Sequence, residues 1–370
     1  MPNGKILIHD ISHKRVLVLD STLSQVTVSA DSLGTNGTKY PNAYFGTQLI
    51  PYLGDSTLFT DREAGAFVVI DPNGKFTRAM AHPKASDLIS LQLQNAGVEG
   101  VDNLGRLIYR DTRPAERPKA APGKTPPLNT RDTIQILRAD FSFRTIDTIA
   151  SFTIAKSQSP QITVGPDGKN QSVEVINPLP TGPDDWGVMS DGTVAVIRSH
   201  DYHIDFTFSD RRTLSSDKLP FDWRRLTDED KMRRVDSTKH VMDSLIASGK
   251  RRPSKTFFYR EDGKLDSVTL SVSYAPITEL ADYVPPFRAG ALKPDADNNV
   301  WILPTTTRSA TGGLLYDVVN ASAILFTRVQ LPTDRFVVGF GKGGVLYLAH
   351  YDRPGRYYTL ERARVLPNKP

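Results

Sequence analysis

Short apolar runs recur along the whole chain, separated by polar turns that contain Gly, Asn or Asp. In each repeat a turn residue precedes an apolar run that ends in Asp or His, and a second apolar run follows after another polar turn. Short runs bounded by turn residues are typical of β-strands. The paired runs lie at residues 6–10 and 16–20, 57–61 and 66–71, 105–111 and 133–137, 193–197 and 202–206, 297–303 and 314–319, and 343–350 and 357–363.

The turn residues that open the repeats give the repeat length. They are Gly4, Gly54, Gly105, Gly192, Asn299 and Gly344, separated by steps of 50, 51, 87, 107 and 45 residues. A period of about 40–50 residues with four short strands is typical of propeller blades. The pattern therefore predicts an all-β fold, a six-bladed β-propeller that forms one domain over residues 1–370.

The two long steps predict insertions. Residues 112–131 contain five prolines among basic residues, which favours an extended loop. Residues 217–252 predict a helical insert with its helix at about 228–248, because Thr227 is a suitable N-cap and Gly249 a suitable stop. We expect this helix to pack on a flank of the propeller through apolar residues at helical spacing: Met232, Val235, Met242, Leu245 and Ile246.

The first repeat begins directly with its second strand, at residues 5–9. Later repeats have an innermost strand before the turn residue, as at residues 187–189 and 336–340. We expect either that the C-terminal segment supplies a strand to the first blade, or that the natural protein extends upstream with that strand and an export signal. The second alternative favours an exported or periplasmic protein.

Composition excludes several function classes. The chain has no cysteine, which excludes disulfides, thiolate metal sites and a cysteine nucleophile. No apolar run approaches the roughly 18 residues of a membrane-spanning helix. The net charge of +5 comes from 46 basic and 41 acidic residues that are interleaved, so we expect no nucleic-acid partner. The sequence also lacks the Gly-x-Ser-x-Gly motif of many serine hydrolases, and no cofactor is predicted.

The repeats resemble the six-bladed β-propellers of the NHL/TolB-like class over nearly the whole chain. Three segments resemble those of exported bacterial propellers: Asp184-Asp185-Trp186, Ser190-Asp191-Gly192-Thr193-Val194-Ala195 and Lys218-Leu219-Pro220-Phe221-Asp222-Trp223. The resemblance implies the fold. It implies no catalytic residue set, because such families include lactonases, lyases, scaffolds and protein-binding modules.

Several His and Asp residues fall at strand ends that a propeller places on one face, near the rim of its central channel. We interpret them as candidate ligand-binding residues, since imidazole and carboxylate groups bind metals and carry protons. The alternative is that the Asp side chains accept hydrogen bonds from the next turn and that the histidines lie at the surface. These candidates are His9, Asp61, Asp111, His200, Asp201, His203, His350 and Asp352.

Two local groups among these residues have competing interpretations. His200 and His203 have opposite side-chain parity on a strand, so both can bind one ion only across a tight turn. Asp184 and Asp185 could form a carboxylate pair, or they could belong to a loop that leads Trp186 between two blades.

Two functions remain open at this point. The first is a non-enzymatic binding or scaffold propeller that recognises a protein or polymeric ligand on the face bearing the turns after the second strands, where residues 112–131, 305–313 and 351–354 lie. The alternative is a propeller hydrolase or lyase, lactonase-like, with a His/Asp or metal centre in the central channel. A stoichiometric divalent ion in the purified protein would favour the enzyme.

Overall fold

The structure is a computed structural model, and it describes residues 4–35, 38–41, 48–61, 64–84, 98–111, 133–154, 161–164, 171–177, 182–252, 255–259, 265–274, 276–352 and 357–365. The predicted Pro-rich loop at 112–131 lies outside these residues. Within them, no helix is both long enough and apolar enough to cross a membrane.

The first three blades follow one another along the chain. Blade 1 has three strands and blades 2 and 3 have four, all antiparallel to their neighbours. The strands are β1 (Ile6–Asp10), β2 (Arg15–Leu19) and β3 (Val26–Ala30); β4 (Leu49–Pro51), β5 (Thr57–Asp61), β6 (Ala66–Ile70) and β7 (Phe76–Ala81); and β8 (Gly100–Val101), β9 (Leu107–Arg110), β10 (Thr133–Asp140) and β11 (Thr145–Thr153).

Two insertions surround blade 4. The first contains β12 (Gln161–Val164) and β13 (Gln171–Asn177). Blade 4 then consists of β14 (Asp185–Val188), β15 (Val194–Arg198), β16 (His203–Thr207) and β17 (Thr213–Ser215). The second insertion contains the helix α1 (Asp228–Ala247), β18 (Lys255–Tyr259) and β19 (Leu265–Tyr274).

Blades 5 and 6 complete the set, with four and three strands. They are β20 (Phe287–Pro294), β21 (Val300–Pro304), β22 (Leu315–Val319) and β23 (Leu325–Gln330), then β24 (Arg335–Gly341), β25 (Val345–Asp352) and β26 (Tyr357–Arg364). Among the described residues, the prediction of a six-bladed β-propeller with one long helix is confirmed, and each of the six predicted strand pairs forms an adjacent antiparallel pair within one blade.

Buried side chains join each blade to the next. Apolar residues alternate along the strands, so that one set faces the preceding blade and the other faces the following blade. The five junctions between consecutive blades are filled by separate clusters, which include Val16 with Phe59, Leu58 with Tyr109, Ile136 with Trp186, Tyr202 with Phe287, and Trp301 with Leu346.

One face of the propeller is closed by tight turns, and we call it the turn face. It carries the connections between first and second and between third and fourth strands, such as residues 71–75, 102–106, 295–299 and 320–324. In each of these, the N–H of the first residue donates to the carbonyl of the fifth. An Asp or Asn in first position also accepts N–H groups of its own turn, as Asp71 does from Asn73 and Lys75. These contacts explain the regular Gly, Asn and Asp signals of the sequence.

Neighbouring turns on this face also contact each other. The Asp297 carboxylate accepts the N–H groups of Gly343 and Gly344 in the next blade, at 3.0 and 2.8 Å. The Asn298 side chain accepts the N–H of Asp191 in the preceding blade at 3.2 Å. Gly192 is so close to Asp102 that a Cβ there would lie 2.5 Å from the Asp102 Cα. The turn face is therefore held together from blade to blade.

The opposite face, which we call the loop face, carries the turns after the second strands and the connections between blades. Both insertions leave from it, because each connects the last strand of one blade to the first strand of the next. They combine into a seventh sheet that the sequence analysis did not predict, with strand order β12-β13-β19-β18 and a parallel β13–β19 pair. The predicted insert at 217–252 thus lies within a longer insertion that extends to residue 286.

The helix α1 begins as predicted, with a capping box in which the Thr227 side chain and the Asp230 backbone and side chain bond reciprocally. Its packing differs from the expectation of an apolar face on a propeller flank. Val235 packs with Tyr274, Ile277 and Leu280 of the same insertion, whereas Met232 and Ile246 are exposed. The helix therefore rests on the segment that leads back to blade 5.

Blades 1 and 6 each have three strands among the described residues, and in that part of the chain β1 pairs with β2 and β26 pairs with β25. Residues 1–3 and 366–370 lie outside the description. The expectation of a strand supplied from the C-terminal segment or from upstream therefore stays a prediction.

The contact between the turns of blades 3 and 4 gives a test of the turn face. Gly192 and Gly54 both have positive φ, 87° and 63°, but only Gly192 has a neighbour where its Cβ would be. We expect Gly54→Ala to lower the free energy of unfolding by about 1 kcal/mol from backbone strain alone. Gly192→Ala should cost at least about 2 kcal/mol more, from the added clash. Equal losses in urea unfolding would contradict the contact.

Candidate functional site

A large hollow lies on the loop face, between α1 and the ends of blades 4 and 5, and we call it the α1 cleft. It has a volume of about 1150 Å³. A second hollow of about 530 Å³ shares Gly182, Ala281, Tyr283 and Pro285 with it, so the two form one extended depression. Thr305 and Thr306, which follow β21, and His200, which follows β15, line its edges.

The base of the cleft is held by two short segments that flank the helical insertion. The Leu226 N–H donates to the Asp282 carbonyl at 2.7 Å, and the Val284 N–H donates to the Arg224 carbonyl at 3.0 Å. The Thr305 N–H and hydroxyl both bind carbonyls of the adjoining Pro285 and Pro286 pair. The start and end of the insertion are thus tied to each other and to blade 5.

An ion pair fixes the first turns of α1 to this base. The Lys231 ammonium is buried and lies 2.7 Å from Oδ1 of Asp282, which is itself exposed. This hydrogen bond lowers the pKa of Asp282 below its ordinary value of 3.8. The positive charge of Lys231 is therefore paired with Asp282, which holds the helix, and is not available to a ligand.

Four aromatic rings lead from the core to the mouth of the cleft. Tyr202 is buried and packs edge-on against Phe221, which packs against Trp223, which packs against Tyr283 at 6.2 Å and 88°. Trp223 and Tyr283 remain 38% and 46% exposed. Because each ring is supported by the one below it, the exposed pair has a fixed orientation.

Cationic side chains outnumber carboxylates in the lining. The cations are Arg224, Lys231, Arg233, Arg234 and Arg288, and the carboxylates are Asp222 and Asp230. The pKa of Asp230 is lowered by the hydrogen bond from the Thr227 N–H and by the nearby charges of Arg224 and Arg233. The cleft therefore has a positive potential that suits an anionic group.

The predicted residues of blade 4 lie on two sides of one turn. His200 is exposed and lines the second hollow. His203 binds Asp201 through Nδ1 at 2.5 Å and lies 3.3 Å from Asp205 through Nε2. Both ring nitrogens of His203 are thus engaged by carboxylates, and the structure does not bring His200 and His203 together around one ion.

The other predicted residues bind within or next to their own blades. His9 contacts the Tyr40 hydroxyl at 2.6 Å, Asp61 accepts the Ala64 N–H, and Asp111 is buried beside β10. His350 binds the Asp334 carbonyl, and Asp352 bonds to Tyr357 and raises its pKa. In the described part of the chain, no group of three or more His, Asp or Glu residues is arranged to hold a metal.

The Asp184-Asp185-Trp186 segment has the packing role that was one of its two interpretations. Asp184 accepts the Thr153 N–H and pairs with Arg198, and Asp185 accepts the Leu292 N–H at 2.9 Å. Trp186 lies between blades 3 and 4. Burial raises the pKa of Asp185 to about 6 in spite of its backbone hydrogen bonds. The two carboxylates therefore join three blades and do not form a pair.

One further buried carboxyl lies immediately before β8, the innermost strand of blade 3. Glu99 is 5% exposed, and burial raises its pKa to about 8 although the charge of Arg110 opposes this. Its neighbour Gly100 packs directly on Val188 of blade 4. Glu99 is therefore sealed between two innermost strands.

His200 and the turn at 305–313, which the sequence pointed to, lie at the edges of the depression, but Trp223, Tyr283, Arg224 and Arg288 were not among the predicted site residues. Trp223 is the last residue of a segment that resembles those of exported bacterial propellers, and Arg224 follows it directly. An exposed aromatic residue next to a basic residue, in a connection between blades, is a signal that could have been used. Tyr283 and Arg288 had no such signal, because they reach the cleft only through the path of the second insertion.

Comparison with known proteins assigns no family and no activity to the chain. No protein-family model matches the chain, and no curated protein matches its sequence. Among solved structures, a streptogramin B lyase is 12% identical, with 94% of this chain and 87% of that chain covered and a TM-score of 0.36. A member of a domain family of unknown function from Bacteroides vulgatus is 9% identical, with 99% and 94% covered and a TM-score of 0.40. A gluconolactonase from Xanthomonas campestris is 14% identical, with 60% and 74% covered and a TM-score of 0.24.

Because these identities and TM-scores are low, the fold class is assigned from the strand order of the chain itself. Six blades in sequence, five filled junctions and one closed face define a six-bladed β-propeller. The finer resemblance to the NHL/TolB-like class stays a prediction.

Glu99 makes stability depend on pH in a defined direction. Because its pKa is raised, the folded protein holds a proton that the unfolded chain releases above its ordinary pKa of 4.5. The free energy of unfolding should therefore fall as pH rises from about 4.5 to about 8. Glu99→Gln should remove this dependence and melt above the wild type at about pH 9, with the gap closing towards about pH 5. Glu229→Gln, at an exposed helix position, is the control, and parallel melting curves for Glu99→Gln and wild type would contradict the assignment.

The Lys231–Asp282 pair predicts a local effect on α1. Asp282→Asn leaves the buried ammonium without its counter-charge, so the first turns of α1 should exchange their amide hydrogens faster while β15 and β21 are unchanged. Since the pKa of Asp282 is lowered, its contribution is present above its ordinary value of 3.8 and is lost as pH falls through the lowered pKa. Asp243→Asn, on the exposed side of α1, is the matched control. Unchanged exchange in Asp282→Asn would show that the pair does not hold the helix.

Proposed function

We propose that this propeller is a non-enzymatic binding protein that recognises a protein or polymeric ligand on its loop face, in the α1 cleft. The difference between the two faces carries the proposal. The turn face consists of short turns that contact each other, whereas both insertions leave from the loop face and together build a cleft. Binding residues are commonly placed on connections of this kind, held by a rigid scaffold.

The dimensions of the cleft support a large ligand. Pockets for small molecules usually measure about 300–1,000 Å³ and enclose most of the ligand. The two joined hollows, of about 1150 and 530 Å³, form a longer depression with an exposed aromatic rim. A chain laid along this depression can contact both hollows at once, which a small ligand cannot do.

The alternative is a hydrolase or lyase with a His/Asp or metal centre in the channel. It predicts a different metal content for the purified protein. Such a centre would hold a divalent ion at a stoichiometric level or need convergent His and Asp side chains. Metal analysis by mass spectrometry after chelator-free purification separates the two functions. A stoichiometric divalent ion would contradict the binding proposal.

The location of the binding site can be tested by photo-crosslinking. A benzophenone amino acid replaces Trp223 in the cleft or, as the matched control, Phe143, which is 80% exposed between β10 and β11 on the turn face. In extracts of the cells that make the protein, we expect a macromolecular adduct from position 223 that disappears in an Arg224→Glu, Arg288→Glu background. An adduct from position 143 alone, or one from 223 that persists in that background, would move the site away from the cleft.

A further inference from the structure

The arginines of the α1 cleft differ in what they already bind. Arg233 pairs with Glu229 and Asp230 at the surface, where such pairs contribute little and exchange readily. Among the described residues, the exposed Arg288 makes no hydrogen bond or ion pair, and the Arg224 side chain makes no hydrogen bond. Arg224 and Arg288 are therefore the guanidinium groups free to bind a ligand.

Of the three carboxylates that line the two hollows, two already hold hydrogen bonds to other residues, and the third, Asp222, leaves the two arginines in excess. Asp230 bonds to Thr227 and Arg233, and Asp282 bonds to Lys231. Two unengaged guanidinium groups in the lining of one cleft match a ligand with carboxylates at two points, because a guanidinium donates two parallel hydrogen bonds to a carboxylate.

Part of the remaining lining is apolar, beside the hydroxyl groups of Ser237, Thr238, Thr305 and Thr306. The apolar part consists of Leu226, Leu280, Val284, Pro285 and Phe287. Aliphatic groups of this kind accept an apolar side chain but offer no partner to a buried hydroxyl or amide. A ligand that carries apolar groups as well as acidic ones therefore fits this lining.

We infer that the α1 cleft binds an acidic peptide segment of a partner protein, with one or more apolar side chains between its Asp or Glu residues. The inference rests on the proposed binding role and names the chemistry of the ligand. Trp, Tyr and Arg are the residues that most often dominate protein–protein binding energy, and here Trp223, Tyr283, Arg224 and Arg288 line the two joined hollows.

Two other anionic polymers fit the same observations less well. An acidic polysaccharide carries no apolar side chain to pack against Leu226, Leu280 and Val284. A single-stranded nucleic acid needs parallel aromatic faces for successive bases, whereas Trp223 and Tyr283 are perpendicular. Both polymers serve as competing probes in the test.

The test selects peptides from a random library of about 12 residues displayed on phage, with the full-length protein as bait. We expect the selected peptides to combine Asp or Glu with apolar residues and to bind at least about tenfold more weakly to the Arg224→Ala, Arg288→Ala variant. Binding should also weaken as salt rises to roughly 0.5 M. Arg78→Ala with Arg362→Ala is the matched control, because both arginines are exposed, on outer strands of blades 2 and 6, and it should bind like wild type.

The same titrations are run with polygalacturonate and with oligothymidylate. If either polymer binds with the loss expected for the cleft variant while acidic peptides do not, the peptide inference is wrong and the binding role stands. If none of the three probes shows binding that depends on Arg224 and Arg288, both are wrong. Selected peptides that are neutral or basic, or that bind the cleft variant and wild type equally, also overturn the inference.

Discussion

An even number of antiparallel strands returns the chain to the face from which it entered the blade. Each four-stranded blade therefore begins and ends on the loop face, and every connection between blades must lie there. The first-to-second and third-to-fourth connections reach the other face and need only a short turn. The connections on the loop face can therefore vary in length, whereas those on the turn face stay short. This difference determines where a binding site can be built.

The two faces are stabilised by different interactions. Hydrogen bonds between adjacent turns, such as those from Gly343 and Gly344 to Asp297, hold the turn face at short range. The loop face depends on contacts within the insertion, such as the Lys231–Asp282 pair and the packing of Val235 on Leu280. Few groups fix α1, which leaves the exposed arginines and aromatic rings at its base accessible.

The repeat could be predicted from the sequence because it is local. The runs at 57–61 and 66–71 form β5 and β6, and the cap at Thr227 starts α1, since strand alternation, turn residues and capping act over a few residues. The seventh sheet could not be predicted in this way, because its parallel β13–β19 pair joins Val173 to Leu270 across an entire blade. The same limit applies to the cleft, where Arg224 and Arg288 line one hollow only because of the folded path of the insertion.

The strand-end His and Asp candidates illustrate a different limit. Their position on one face follows from the repeat, but the hydrogen-bond and ion-pair partners of each side chain depend on its immediate surroundings. His203 lies between Asp201 and Asp205, and His9 lies against Tyr40, so proximity to a common face does not create a common site. Propeller geometry brings strand ends together without bringing their functional groups into contact.

The insertions on the loop face are held by contacts of their own, separate from those that hold the blades together. This division of the molecule into two layers is the central claim. Native-state hydrogen exchange measured at increasing urea tests this most directly, segment by segment. The account predicts that amides in α1 and in 265–274 exchange through an opening of lower free energy than those in 194–207 and 300–319 of blades 4 and 5. If all four segments instead exchange at one free energy, equal to that of global unfolding, then the insertions belong to the core and the two-layer account is contradicted.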